Sequence, residues 1–193
     1  EYLWFEYKYG RDRADFHGKT EQEEYLQESV SKQVPIIRYN YHHREDMFDR
    51  HSYNKGGRVL HMLRKYVGDD AFFTALKNYL HQHEFTDVEI HELRLAFEET
   101  TGEDLNWFFN QWFLSPGHPN LKVEHYYLSD TLFLNIAQLQ DTLYSPIFKL
   151  PLEIEIGVDG EKTSYPIVID EAIQQFKFPL ASAPDFVLFD TEQ

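Results

Sequence analysis

The hydrophobic period changes once along this chain, and that change limits the fold more than any other feature. Up to about Leu114, large apolar side chains recur every three or four residues; from about Leu121 they alternate with polar ones. The first period belongs to helices with one buried face, the second to strands with one. Between them stands Ser115-Pro116-Gly117-His118-Pro119, two prolines and a glycine in five residues, which neither element accommodates. The fold class is therefore predicted as α+β in two parts: a helical part, residues 1–117, and a small β-sandwich, residues 118–193.

Within the helical part, Glu1 to Tyr9 reads as a short helix that Gly10 caps in the left-handed region. Arg11 to Lys19 reads as a polar link, and a second helix is expected from about Glu21 to Val30, with Thr20 and Glu23 as a capping box. Pro35 forbids continuation, and Ile36 to His51 is irregular. Val59, Leu60, Leu63 and Val67 share a helical face, and Gly68 ends that helix. Asp69 is expected to cap a helix carrying Phe72, Leu76, Tyr79 and Leu80 inward. Thr86 and Glu89 suggest a capping box for a helix burying Ile90, Leu93, Ala96 and Phe97. The strongest stripe comes last: Leu105, Phe108, Phe109, Trp112 and Phe113 follow i, i+3, i+4, i+7, i+8. Beyond the break, Leu132, Leu134 and Ile136 alternate, as do Leu150, Leu152, Ile154 and Ile156, among six or seven expected short strands. Gly157 to Gly160 reads as the turn that follows them.

Charge and ligand spacing exclude several functions. With 33 acidic against 18 basic side chains, the formal charge of −15 opposes binding to phosphate backbones, so no nucleic-acid partner is expected. No apolar run approaches the ~18 residues of a membrane helix, so no membrane span is predicted. Without cysteine there is no thiol nucleophile and no thiolate metal site. His-Glu-x-x-His is absent; His42 and His43 are adjacent, and His81 and His83 are two apart, spacings that split the rings around a helix. His61, His91, His118 and His125 stand singly, and histidines in general are expected at the surface or locally hydrogen-bonded. No metal ligands follow from spacing alone. The helical look of Glu1 to Tyr7, with no capping residue before it, suggests a piece of a longer polypeptide.

One hexapeptide stands apart, Ser52-Tyr53-Asn54-Lys55-Gly56-Gly57, opening into the helix from Arg58 to Val67. A phenol placed there can be aimed from a helix N-terminus into a cleft. The plainer reading is a tyrosine packed at a helix start with its hydroxyl on backbone.

The run SYNKGGRVLHMLRKYVGDDAFFTALKNYL, residues 52–80, resembles the segment downstream of the zinc site in the gluzincin aminopeptidases, the aminopeptidase N family. A Tyr-x-Lys-Gly motif opens a helix that ends in Met-Leu, then Gly-Asp and a Phe; here these are Tyr53, Lys55, Gly56, Met62, Leu63, Gly68, Asp69 and Phe72. FFNQWFLSPGHPNLKV (108–123) is similar to the family's passage from catalytic domain to β-sandwich, and EYLWFEYKYGRDRAD (1–15) to the helix after its third zinc ligand. Gly57 stands where the family often has alanine. The resemblance implies that residues 1–117 are the helical second half of a catalytic domain. It implies a zinc-dependent exopeptidase acting on peptide substrates, with Tyr53 as the catalytic residue that stabilises the oxyanion. The zinc ligands and general base would precede Glu1, and the family's amine-recognition motif does not occur. The missing N-terminal part of the catalytic domain is then this chain's expected partner, and the chain alone is expected to bind no zinc and to be inactive. The alternative is a non-catalytic relative that keeps the scaffold as an interaction module.

Overall fold

In the computed structural model, which describes residues 1–190, every helix precedes Ser115 and every strand follows Asn120. The chain divides into two compact units, Glu1–Gly117 and His118–Gln193.

The first unit holds α1 (Tyr2–Tyr9), α2 (Arg11–Ser29), a 3₁₀ turn (Arg44–Met47) and a π-helical turn (His51–Lys55) that runs straight into α3 (Gly56–Val67). α4 (Asp69–Gln82), α5 (Ile90–Thr101) and α6 (Asn106–Phe109) follow, and a second π-helical turn (Asn110–Leu114) extends α6. The aromatic stripe is the unit's core: Leu105, Phe108, Phe109, Trp112 and Phe113 are all buried. At roughly 1.5–3 kcal/mol for each large side chain removed from water, it contributes on the order of 10 kcal/mol before conformational entropy is counted.

Several local expectations are corrected. Arg11 to Lys19 is not a link but the first half of α2. The inward face of that helix is Ala14, Gly18, Tyr25 and Ser29, so three of its four buried residues carry no large apolar group and the periodic signal vanishes. Thr20 lies mid-helix and donates to Phe16 O at 3.1 Å instead of capping. Gly10 has φ 85 and ψ 169, outside the left-handed helical region; its N–H closes α1 on Glu6 O and its carbonyl receives Ala14 N–H in α2. Asp69 does not cap α4 but chelates the Arg64 guanidinium at 2.7 and 2.8 Å. The capping box of α5 is Glu89 with Glu92, while Thr86 donates to His83 O. Leu80 faces solvent, Phe72 and Ala75 being the buried residues of α4.

The second unit contains two antiparallel three-stranded sheets, ordered β1–β2–β5 and β4–β3–β6. The strands are β1 (Leu121–Leu128), β2 (Thr131–Gln138), β3 (Leu150–Val158), β4 (Glu161–Ile169), β5 (Ile173–Pro179) and β6 (Phe186–Phe189). Leu132, Leu134 and Ile136 of β2 are buried, as are Ile154 and Ile156 of β3 and Ile167 and Ile169 of β4. Tyr165 of one sheet meets Phe178 of the other at 5.0 Å between ring centres, the face-to-face packing of a sandwich. Both tight hairpins use two residues at positive φ, Ser129-Asp130 and Asp159-Gly160, the geometry that matches strand twist. Gly157 belongs to β3, not to the turn.

Candidate functional site

The turn that carries Tyr53 is built from backbone bonds one residue longer than those of an α-helix. Lys55 N–H donates to Arg50 O at 2.9 Å, and Gly56 N–H reaches His51 O. Such wide turns interrupt helices where side chains need a particular aim. The turn is pinned at its entry by Asp49, whose Oδ1 receives Ser52 N–H at 2.7 Å and whose main-chain carbonyl receives Tyr53 N–H. The other carboxylate oxygen pairs with Lys32 at 2.5 Å and Arg38 at 2.8 Å. Burial alone would raise this carboxyl, but the hydrogen bonds from Lys32 and Ser52 and the Arg38 charge outweigh it and hold it at about 2. The N–H groups around Tyr53 are thus taken by protein acceptors. The phenol is presented by a closed turn rather than by the free donor end of a helix.

One face of α2 grips the turn from beneath. Glu21, Glu24, Tyr25 and Glu28 lie at i, i+3, i+4 and i+7, so all four point the same way. Asn54 donates to Glu21 O at 3.1 Å and to Glu24 Oε2 at 2.8 Å. Lys55 lies over the Tyr25 ring at 5.7 Å, and both Lys55 Nζ (2.8 Å) and Tyr25 Oη (3.3 Å) donate to Gly117 O. His51 is wholly buried; its Nδ1 lies 2.7 Å from Glu28 Oε2, and its backbone N–H donates to the same oxygen. Burial lowers the Lys55 ammonium to about 8 and pushes the Tyr25 phenol well up. His51 and His61 therefore depart from the surface location expected of histidines.

Tyr53 points the other way. While His51, Asn54 and Lys55 are buried, its side chain is 60% exposed, with Phe48 at 5.8 Å between rings. It stands between two hollows. A cleft of about 580 Å³ is shared with Asn54, Gly57, His61 and Glu21, and a smaller one of about 380 Å³ with Glu28 and Phe48. Arg50 borders both and pairs with Glu24 at 2.8 Å. In the larger cleft, burial and the charges of Arg58, Lys65 and Arg64 hold His61 at about 4, so it is neutral at pH 7. Burial raises Glu21. An exposed phenol on an immobilised turn at a cleft wall is suited to donating a hydrogen bond to a bound oxygen.

Among the described residues, two groups of side chains bring one imidazole and two carboxylates together, Glu1–His17–Glu21 and Glu28–Asp49–His51. Neither fits the zinc that the resemblance implies, which needs two imidazoles. In the second, Asp49 is already neutralised by Lys32 and Arg38, and Glu28 is taken by His51. In the first, the lone imidazole stacks on Phe5 at 4.1 Å. Zinc is assigned to none of the described residues.

Of the residues bearing on this site, the sequence assigns a chemical role to Tyr53 alone. The parts of Glu28, His51 and Asn54 are not visible in short spacings, because their contacts span 23 to 33 residues. One signal was there: His51, Lys55, Val59 and Leu63, spaced by four, are all buried, so the inward stripe of α3 starts before Gly56.

Comparison with known proteins bears on the family and the fold. Residues 1–112 match the model of the peptidase family M1 domain. A protein described as probable aminopeptidase 1 of Sulfurisphaera tokodaii is 30% identical over 144 residues, covering 72% of this chain and 18% of that relative. Aminopeptidase N of Lactococcus lactis is 37% identical over 86 residues, 45% of this chain and 10% of the relative. The chain thus spans less than a fifth of the length of these curated relatives. Among solved structures, Legionella pneumophila aminopeptidase A in complex with aspartic acid shares the fold with a TM-score of 0.70 at 17% identity, over 95% of this chain and 21% of that one. The match over residues 1–112, more than half of the chain, shows that it belongs to peptidase family M1.

Proposed function

We propose that this chain is the part of a zinc-dependent aminopeptidase that brings a phenol to the reacting carbonyl, with Tyr53 as its catalytic residue. Residues 1–117 are the helical C-terminal part of the catalytic domain and residues 118–193 its β-sandwich neighbour. The substrates are peptides with a free amino end, which the acidic lining from Glu1 and Glu21 suits. Zinc, held by ligands that this chain does not contain, supplies Lewis acidity when bound. Tyr53 contributes a separate element. When the scissile carbonyl becomes tetrahedral, charge grows on its oxygen, and Tyr53 Oη–H donates to that oxygen without giving up its proton.

The observation that carries this reading is the exposure of Tyr53 at the cleft wall while its neighbours His51, Asn54 and Lys55 are buried beneath it. Packing alone would not keep the phenol outward. Tyr53→Phe in the complete protein tests it. Losing one oxyanion donor costs about 2.7–4 kcal/mol, so kcat should fall roughly a hundred- to thousandfold with KM little changed. Zinc content and Tm should stay at the parent values. Near-full activity would reduce Tyr53 to a surface tyrosine, whereas a complete parent protein without aminopeptidase activity would favour the non-catalytic scaffold.

A further inference from the structure

We propose that Glu28 and His51 are positioning residues for Tyr53, a couple that fixes the π-helical turn so that the phenol is held at the cleft. This rests on the assignment of Tyr53 as the oxyanion donor. Three observations lead to it. One carboxylate oxygen, Glu28 Oε2, receives two hydrogen bonds from a single residue: His51 Nδ1–H at 2.7 Å and His51 N–H at 3.2 Å. The first fixes the imidazole and the second fixes the first peptide unit of the turn, so the couple sets the position and the direction of the backbone two residues before Tyr53.

The imidazole itself is also held. His51 has no exposed surface, and Tyr25, one turn earlier on α2, presents its ring at 5.1 Å and 83°. Its Nε2 is buried with no hydrogen-bond partner among the described residues. An unpaired polar atom in the interior is costly, and an apolar residue of similar size would avoid that cost. The imidazole is therefore poorly explained as packing, and its Nδ1–H to Glu28 is the feature that an apolar residue would lose. Finally, Glu28 and Tyr53 line the same smaller hollow, so the acceptor of the clamp and the phenol border one space.

A double-mutant cycle in the complete, metal-loaded protein tests this. Glu28→Met keeps the length of a side chain that is about one-quarter exposed, and removes the shared acceptor. Small misplacements of a catalytic group cost up to about a hundredfold, so Glu28→Met should lower kcat by about ten- to a hundredfold and leave KM nearly unchanged. In the Tyr53→Phe background the same substitution should have almost no further effect on kcat, because there is no phenol left to aim. His51→Leu should behave like Glu28→Met. His51→Asn, whose amide N–H can replace Nδ1–H, should recover most of the rate. Should His51→Leu fail to fold, the Glu28→Met cycle and His51→Asn carry the test. An equal loss of kcat from Glu28→Met with and without the Tyr53 hydroxyl would overturn the positioning role, as would unchanged kcat in Glu28→Met. If Tyr53→Phe alone leaves kcat intact, it is instead the assignment of Tyr53 that fails.

Discussion

Lys55 offers a test of the site's architecture that needs no substrate. The residue is 3% exposed, and its ammonium donates to Gly117 O at 2.8 Å and lies 5.7 Å from the centre of the Tyr25 ring. Among the described residues no carboxylate pairs with it, and burial alone lowers it from 10.5 to about 8. That gap corresponds to about 3 kcal/mol of free energy held against the protonated form. The sign follows from proton counting. Between pH 8 and 10.5 the unfolded lysine keeps its proton while the folded one has released it, so the unfolded state binds more protons and stability rises with pH. Below about pH 8 both forms are protonated, and the full cost of the buried charge is present.

Urea unfolding of the 193-residue chain at pH 7, 8, 9 and 9.5, followed by tryptophan fluorescence, measures this. All three tryptophans, Trp4, Trp107 and Trp112, lie in the first unit, so the signal reports the unit that contains Lys55. The unfolding free energy should increase by about 1–2 kcal/mol between pH 7 and 9.5. The window stops there because the Tyr2 phenol, raised to about 12, and that of Tyr25, raised further, oppose the trend above pH 10. In those two cases the unfolded state loses its proton first, and stability falls with pH. Lys55→Met should remove the slope. It should also be no less stable than the parent at pH 7, because Gly117 O retains the Tyr25 hydroxyl as a donor. A parent that is flat or weakening from pH 7 to 9.5, or a Lys55→Met variant with the parent's slope, would refute the reasoning.

The chain alone should hydrolyse no amino-acid anilide and keep no stoichiometric zinc after dialysis, since neither imidazole–carboxylate group supplies a second histidine; chelator-sensitive turnover would contradict this. In the second unit, Gly157→Ala should destabilise by about 1–3 kcal/mol. Its Cβ would stand 2.3 Å from the Phe186 ring at the β3–β6 pairing, so the ring or the strand must move. Phe186→Leu in the same protein should restore part of the loss, and an unchanged unfolding midpoint for Gly157→Ala would mean the ring swings out freely.

The two-part architecture was legible because its signal is carried by large side chains. The stripe from Leu105 to Phe113 and the alternation of β2 are made of residues whose burial dominates the local free energy, and they fold as their periods require. α2 was legible only in its second half, because its buried Ala14, Gly18 and Ser29 leave no periodic trace of large residues. Caps were the least readable. Asp69 prefers a guanidinium that is brought close only when α3 and α4 pack, and a spacing rule cannot weigh a partner on another helix. The candidate site divides in the same way. Tyr53 was readable through its motif, while Glu28 and His51 meet only once α2 folds back beneath the turn, a non-local pairing with no local pattern.

The physical content of Tyr-x-Lys-Gly can now be separated position by position. The tyrosine faces out and the lysine faces in because a turn closed by bonds of one extra residue sets the two against opposite surroundings, solvent and the face of α2. The glycines do not follow from backbone strain, since Gly56 has φ −56 and a Cβ there would come no closer than 4.0 Å to His51 O. At Gly57 a Cβ would meet nothing within 4 Å, so a methyl group fits there as the backbone stands. Gly57 does line the cleft that holds the phenol. What that position limits is therefore the reach of a side chain into the space beside Tyr53, and not the path of the chain. A residue larger than alanine would extend into that space from the first turn of α3, four positions after Tyr53, where side chains share a face. On the function proposed for Tyr53, a small residue at position 57 leaves open the approach to the exposed phenol at position 53.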